Sequence, residues 1–150
     1  MTSGPFDPQI RILLVDDFPA WRDRICSLLE STPQLKVIGR ASDGLQAVHM
    51  AAKFRPDIIL LDIGLPSING IEAACRIMED GACRSKIVFV SENRDSDIIA
   101  KALGCPGVFG YVHKSDAHAD LLPAIAAALR GEEFTSSGLK NSFGDRLVLA

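Results

Sequence analysis

Residues 57–74 read DIILLDIGLPSINGIEAA, and the order of residue types along that stretch decides how the whole chain is built. Ile58 to Leu61 form an unbroken aliphatic run, the mark of a strand buried on both faces of a sheet. The run stops at Asp62. A short loop, IGLP (63–66), follows, and NGIEAACRIMED (69–80) then spaces its apolar residues as a helix does.

The same alternation recurs on either side. IRILLV (10–15), LKVIGRA (35–41), KIVFVS (86–91) and GVFGYVHK (107–114) read as further strands beside DIILLD (57–62). WRDRICSLLEST puts Trp21, Ile25, Leu28 and Leu29 on one helical face, and GLQAVHMAAKF does so with Leu45, Val48 and Ala52. RDSDIIAKALG repeats the pattern. A last helix runs from about Ala117 to Arg130, with Ser115 or Asp116 as its cap. Pro123 either kinks that helix or marks its first turn, and Gly104, Gly107 and Gly131 stand where helices should stop. Five strands alternating with five helices, joined by right-handed crossovers, predict a three-layer α/β/α sandwich.

The chain has 150 residues, 47% of them hydrophobic, enough for one compact core and short for two. A net charge of −3 and the lack of any basic run argue against nucleic-acid binding by this chain alone. Cys26, Cys75, Cys83 and Cys105 show no C-x-x-C spacing and read as small apolar residues. With no secretory signal and no bilayer-length apolar run, a reduced cytoplasmic setting fits best. Repeats and low-complexity tracts are absent.

In open sheets of this class, ligands bind beyond the carboxyl ends of the strands, where strand order reverses. There the first strand carries Asp16 and Asp17, the third Asp62, the fourth Ser91 and the fifth Lys114. A parallel order of 2-1-3-4-5 makes these four strands neighbours. Adjacent carboxylates repel and resist burial, so LLVDDFPAW (13–21) ends in two of them only for a reason. Three facing carboxylates call for a cation, and an oxygen-only set suits Mg²⁺. A carboxylate beside Mg²⁺ can attack phosphorus, which makes Asp62 a candidate nucleophile that yields an aspartyl phosphate. Lys114 supplies a mobile positive charge, Ser91 a hydroxyl, and residues 63–66 backbone groups left open by Gly64.

LLVDD, DIILLDIGLPSINGIEAA with its Pro66 and Gly70, VFVS and ALGCPGVFGYVHKS, in this order and spacing, resemble the receiver domain of two-component response regulators over residues 8–131. The resemblance implies the flavodoxin-like receiver fold. It also implies that Asp62 accepts a phosphoryl group from a sensor histidine kinase, a phosphotransfer protein or a small acyl phosphate. Asp17 would ligate Mg²⁺ directly, Asp16 through a water, and the Gly64 backbone carbonyl would complete the protein ligands. Lys114 would pair with the phosphoryl oxygens, while Ser91 and Tyr111 would form the switch, the tyrosine turning inward as the serine bonds the phosphate. The fourth helix, fifth strand and fifth helix would carry the output.

Two positions depart from the family. Glu92 stands where a small residue is usual and puts a negative charge in the donor's path. Ser115 replaces the common proline after the lysine. Asn93 is a candidate for positioning water, whereas Gly64 offers no such arm. Residues 1–8 read as an N-terminal extension, 9–131 as the receiver and 132–150 as a tail or linker in which Leu139, Phe143 and Leu147 stand four apart. That tail is similar to the segment leading to a helix-turn-helix domain in NarL/FixJ-type, LuxR-like regulators. The chain is then either a stand-alone receiver or part of a longer regulator, and DNA binding belongs to an output domain not present in it. A homodimer through the first and fifth helices, or through the fourth helix and fifth strand, is the implied assembly.

Plainer readings stand beside these. Asp16 and Asp17 serve as a helix N-cap pair in isolation, Ser91 as a strand-end cap and Tyr111 as a core or rim aromatic. His49, His113 and His118 receive no role, and Trp21 lies near the acid pair. An Asp-nucleophile, Mg²⁺-dependent phosphohydrolase is the rival function, but such enzymes place a second aspartate two residues after the nucleophile, where this chain has Gly64. A receiver acting through protein contacts without phosphorylation is the third.

Overall fold

The computed structural model describes residues 9–136 and Leu139. The expected N-terminal extension and the apolar positions Phe143 and Leu147 lie outside the described residues. Strands β1 (Ile10–Val15), β2 (Leu35–Ala41), β3 (Ile58–Leu61), β4 (Lys86–Ser91) and β5 (Val108–His113) alternate with α1 (Pro19–Glu30), α2 (Gly44–Phe54), α3 (Gly70–Glu79), α4 (Ser96–Leu103) and α5 (Ala117–Leu129). All five strands pair in parallel in the order β2-β1-β3-β4-β5.

A sixth strand was not anticipated. β6 (Phe134–Thr135) extends the sheet from the free edge of β5, pairing Gly110 with Phe134 and Tyr111 with Thr135. Two residues amid glycine, serine and acids carry no strand pattern of their own. Their pairing is a tertiary event, fixed by the edge that α5 returns them to.

Because side chains alternate along a strand, each central strand feeds two cores. Leu13, Val15, Ile59, Leu61, Ile87 and Phe89 face α2, α3 and α4. Ile12, Leu14, Ile58, Leu60, Val88 and Val90 face α1 and α5. Each fully buried Leu or Ile contributes on the order of 1.5–3 kcal/mol.

The helices refine the expected faces. α2 buries Gly44, Ala47 and Ala51 and leaves Leu45 48% exposed, so its core face is rotated from the one through Leu45 and Ala52. Small residues win there because α2 lies so close to the loop before α3 that a Cβ at Gly44 would overlap the Ile68 backbone. Pro123 sits inside α5 on its exposed side, where water can serve the carbonyl freed by its missing N–H. Neither expected cap closes α5. Asp116 makes no side-chain capping bond, and a 3₁₀ turn over Lys114–Asp116 leads into the helix. Asp16 and Asp17 are not a cap pair either, since Phe18 holds the N-cap position of α1 and Pro19 begins its first turn.

Asn69 caps α3, its side chain accepting from the Glu72 N–H. The next residue, Gly70, meets the end of β3 so closely that a Cβ there would overlap the Asp62 carbonyl oxygen, while its N–H donates to the Ile63 carbonyl at 2.8 Å. Gly64 is different: an added Cβ would find no heavy atom within 4 Å. Gly70→Ala should therefore lose about 1–3 kcal/mol in urea unfolding by forcing the Asp62 backbone aside, and Gly64→Ala should stay within about 0.5 kcal/mol of the parent. Equal stability of the two variants would contradict this placement.

Candidate functional site

Four strand ends meet at one rim. Asp16 and Asp17 follow β1, Asp62 follows β3, Ser91 ends β4 and Lys114 follows β5. Ligand oxygens of Asp16, Asp17 and Asp62 lie within 4.8 Å of one another. The Lys114 Nζ sits 2.7 Å from Asp16 Oδ2 and 3.2 Å from Asp62 Oδ2, and 5.1 Å from the centre of the Trp21 ring. Asp62, Gly64, Ser91, Glu92, Asp17 and Lys114 line a common cleft, with Glu92 exposed at its mouth.

The three acids are not equivalent. Asp16 is buried, and both its oxygens are engaged, Oδ1 by the Phe18 N–H at 2.9 Å and Oδ2 by Lys114. Asp62 is 7% exposed; its Oδ1 accepts from the Ile63 N–H and its Oδ2 from Lys114. Asp17 is exposed and its carboxylate engages no other described residue.

Burial raises the Asp62 carboxyl above its ordinary value, and the Asp16 charge adds to the rise while Lys114 and the Ile63 N–H oppose it. Burial would lower the Lys114 ammonium, but its bonds and charge attraction to Asp16 and Asp62 outweigh that and hold it above its ordinary value. The lysine is therefore a fixed positive charge at neutral pH.

Ser91 and Tyr111 are joined through one residue. The Ser91 Oγ accepts from the Asn93 N–H at 3.1 Å, and the Tyr111 hydroxyl donates to the Asn93 carbonyl at 2.8 Å. Tyr111 is fully buried beside Phe89, so its ring already lies inward. Burial pushes its hydroxyl above the ordinary value, a rise that the nearby Ser91 side chain opposes and the Asp62 charge reinforces.

His113, given no role from the sequence, anchors this region. With the proton on Nε2 its ring donates to the Glu92 carbonyl at 3.0 Å, and Nδ1 accepts from the Ser115 N–H at 3.1 Å. It thus caps the turn that presents Lys114. Ser136 was missed as well. Wholly buried, it takes the His113 N–H on its Oγ and gives its own N–H to the Tyr111 carbonyl, both at 3.1 Å. His113 had a weak signal in lying beside the lysine at the end of a strand; Ser136, in a polar tail, had none.

A parallel sheet of this order, with acids closing β1 and β3 and a lysine closing β5, is the class of protein that the receiver fold defines. The response regulator receiver domain model matches residues 12–126, and the chain belongs to that family. Among its relatives are the nitrate/nitrite response regulator protein NarL of Escherichia coli K12, 34% identical over 128 residues, and the transcriptional regulatory protein LiaR of Bacillus subtilis 168, 34% identical over 141. These alignments cover 85% and 92% of this chain but 58% and 64% of the two regulators, so the chain spans about three-fifths of their length. The crystal structure of a LuxR-family two-component response regulator from Aurantimonas sp. SI85-9A1 superposes with a TM-score of 0.86 at 34% identity, over 93% of this chain and 99% of that one. The domain is a NarL/LuxR-like receiver. Among the described residues, no helix is long and apolar enough to cross a membrane.

The raised Asp62 carboxyl has a measurable consequence. The folded protein holds that proton more tightly than the unfolded chain, so this group's contribution falls as pH climbs from 3.8, its ordinary value, through the higher folded one. Asp62→Asn removes the loss. Thermal unfolding in chelator should find the variant more stable than the parent at neutral pH, with the gap closing below the ordinary carboxylate range; a variant less stable at neutral pH would contradict the assignment.

Proposed function

We propose that Asp62 is the phospho-acceptor of a Mg²⁺-dependent signalling switch, with Asp16, Asp17, Gly64, Ser91, Lys114 and Tyr111 in supporting roles. The observation that carries this reading is one ammonium held by two buried carboxylates with a third, uncommitted carboxylate within 4.8 Å. The oxygen-only donor set fits Mg²⁺. Asp17, Asp62 and the backbone carbonyl of Gly64 would hold the ion, with Asp16, already engaged by Lys114, acting through a water. Bound there, the metal supplies positive charge against the phosphoryl oxygens.

The rest of the chemistry falls to the chain. An Asp62 oxygen attacks phosphorus as the P–N bond of a phosphohistidine breaks, and the departing imidazole keeps the electron pair and takes up a proton. With a small acyl phosphate, the leaving group is the carboxylate. Lys114, 3.2 Å from Asp62 before transfer, turns to the new phosphoryl oxygens. The Ser91 hydroxyl donates to another, which loosens its bond to Asn93 and so the loop on which Tyr111 is anchored.

The donor in this reading is a sensor histidine kinase or a phosphotransfer protein, and the setting is the cytoplasm. Residues 9–131 would supply the alternating strands and helices of the receiver, and the segment from 132, whose β6 extends the same sheet, would lead on toward an output domain, through which any DNA contact would be made. Phosphorylation would favour a homodimer. The domain catalyses only its own phosphorylation and dephosphorylation.

Intact-mass measurement after incubation with Mg²⁺ and acetyl phosphate tests the proposal. One phosphoryl group should be gained, and none with chelator or in Asp62→Ala. Release of phosphate over many turnovers would instead mark a phosphohydrolase. No mass gain, even with a competent kinase, would leave Glu92 guarding a receiver that signals by contact alone.

A further inference from the structure

Outside the acidic rim, two thiols stand together. Cys75 lies on the exposed side of α3, and Cys105, partly buried, follows the C-terminus of α4; their Sγ atoms are 3.9 Å apart. We propose that Cys75 and Cys105 are a reversible oxidation site, forming an intramolecular disulfide that staples α3 to the end of α4.

The geometry around them is preset. The Cys105 N–H donates to the Ala102 carbonyl at 3.2 Å, its own carbonyl accepts from the Val108 N–H at 3.3 Å, and the Gly107 carbonyl accepts from the Ile87 N–H at 2.8 Å. The turn is therefore tied both to α4 and to the sheet. Gly107, at φ +78°, admits the Met78 side chain so closely that a Cβ would overlap its sulfur. Met78 lies one turn beyond Cys75, so this contact keeps α3 in register with the turn. A disulfide needs its sulfurs at about 2.05 Å, an approach of about 2 Å from the present contact that side-chain rotation can supply.

The two sulfurs differ in a way that sets the order of events. Cys105 donates to the Lys101 carbonyl at 3.4 Å, and its thiol is pushed up to about 11 by burial and by the neighbouring Cys75. The exposed Cys75 is thus the first to react. With hydrogen peroxide as oxidant, the Cys75 thiolate attacks one peroxide oxygen, the O–O bond breaks, and hydroxide leaves to give a sulfenic acid. The Cys105 sulfur then displaces hydroxide from Cys75, closing the S–S bond. In all, two thiols and one peroxide yield one disulfide and two waters, and a dithiol reverses the step.

The staple would restrain α4, the helix that begins after Asn93, where Ser91 and Tyr111 are joined. It stands whether or not Asp62 is phosphorylated, so its test needs no phosphodonor. Reduced full-length protein is treated with hydrogen peroxide, alkylated and mapped without reduction. The expected product is a monomer lighter by two hydrogens, with one Cys75–Cys105 cross-linked peptide, dithiothreitol reversal, and Cys26 and Cys83 still open to alkylation after denaturation. In Cys105→Ser, the Cys75 sulfenic acid should persist and be captured by dimedone. Hydrogen exchange over residues 96–108 should slow in the oxidised parent relative to Cys75→Ser treated alike. Over-oxidation of Cys75 without a cross-link, a bond to Cys83, a cross-link between chains, or unchanged exchange would each overturn the proposal.

Discussion

A single ammonium group holds the acidic rim of this molecule together. Lys114 reaches from beyond β5 across the end of β4 to place its charge between Asp16 and Asp62, two carboxylates that would otherwise face each other in a largely buried rim. Ion pairs so far from water contribute little net stability, because desolvation consumes most of the attraction. What the arrangement secures is position. It keeps β1, β3 and β5 aligned at their carboxyl ends and leaves Asp17 uncommitted at the entrance. Gly70 and the His113-capped turn serve the same end, the first by letting α3 close against the Asp62 backbone and the second by aiming the lysine.

From that charge cluster a short line of bonds leads outward. Asp62 lies close enough to Tyr111 to raise its hydroxyl, Tyr111 and Ser91 share Asn93, and the backbone of Tyr111 carries Thr135 and Ser136 along β5. The segment after α5 is therefore bonded to the strand that bears Tyr111. Leu139, with 3% of its surface exposed, packs into the core that includes Tyr111 and Ile99. A rearrangement at Ser91 has a physical route to the segment after α5. Bond geometry describes the route; coupling along it is a matter of energies.

Much of this was legible in the residues. Aliphatic runs such as Ile58–Leu61 can only be doubly buried strands once helices alternate with them, and the acids and lysine at their ends could then be placed by topology alone. The faces of helices were less legible where glycine and alanine replace bulk, because close approach depends on what lies opposite: α2 brings Gly44 against the Ile68 backbone and buries Ala47 while Leu45 stays exposed. β6, Ser136 and the capping role of His113 were hidden for a different reason. Each depends on residues brought near only by the finished fold, and none alters local periodicity.

Urea unfolding of Lys114→Met beside the parent, first in chelator and then in excess Mg²⁺, tests the central role of the ammonium most directly. Removing it leaves Asp16 and Asp62 uncompensated, so the variant should lose about 3 kcal/mol in chelator and recover much of that when the divalent ion takes over the charge. A variant as stable as the parent in chelator would contradict the account.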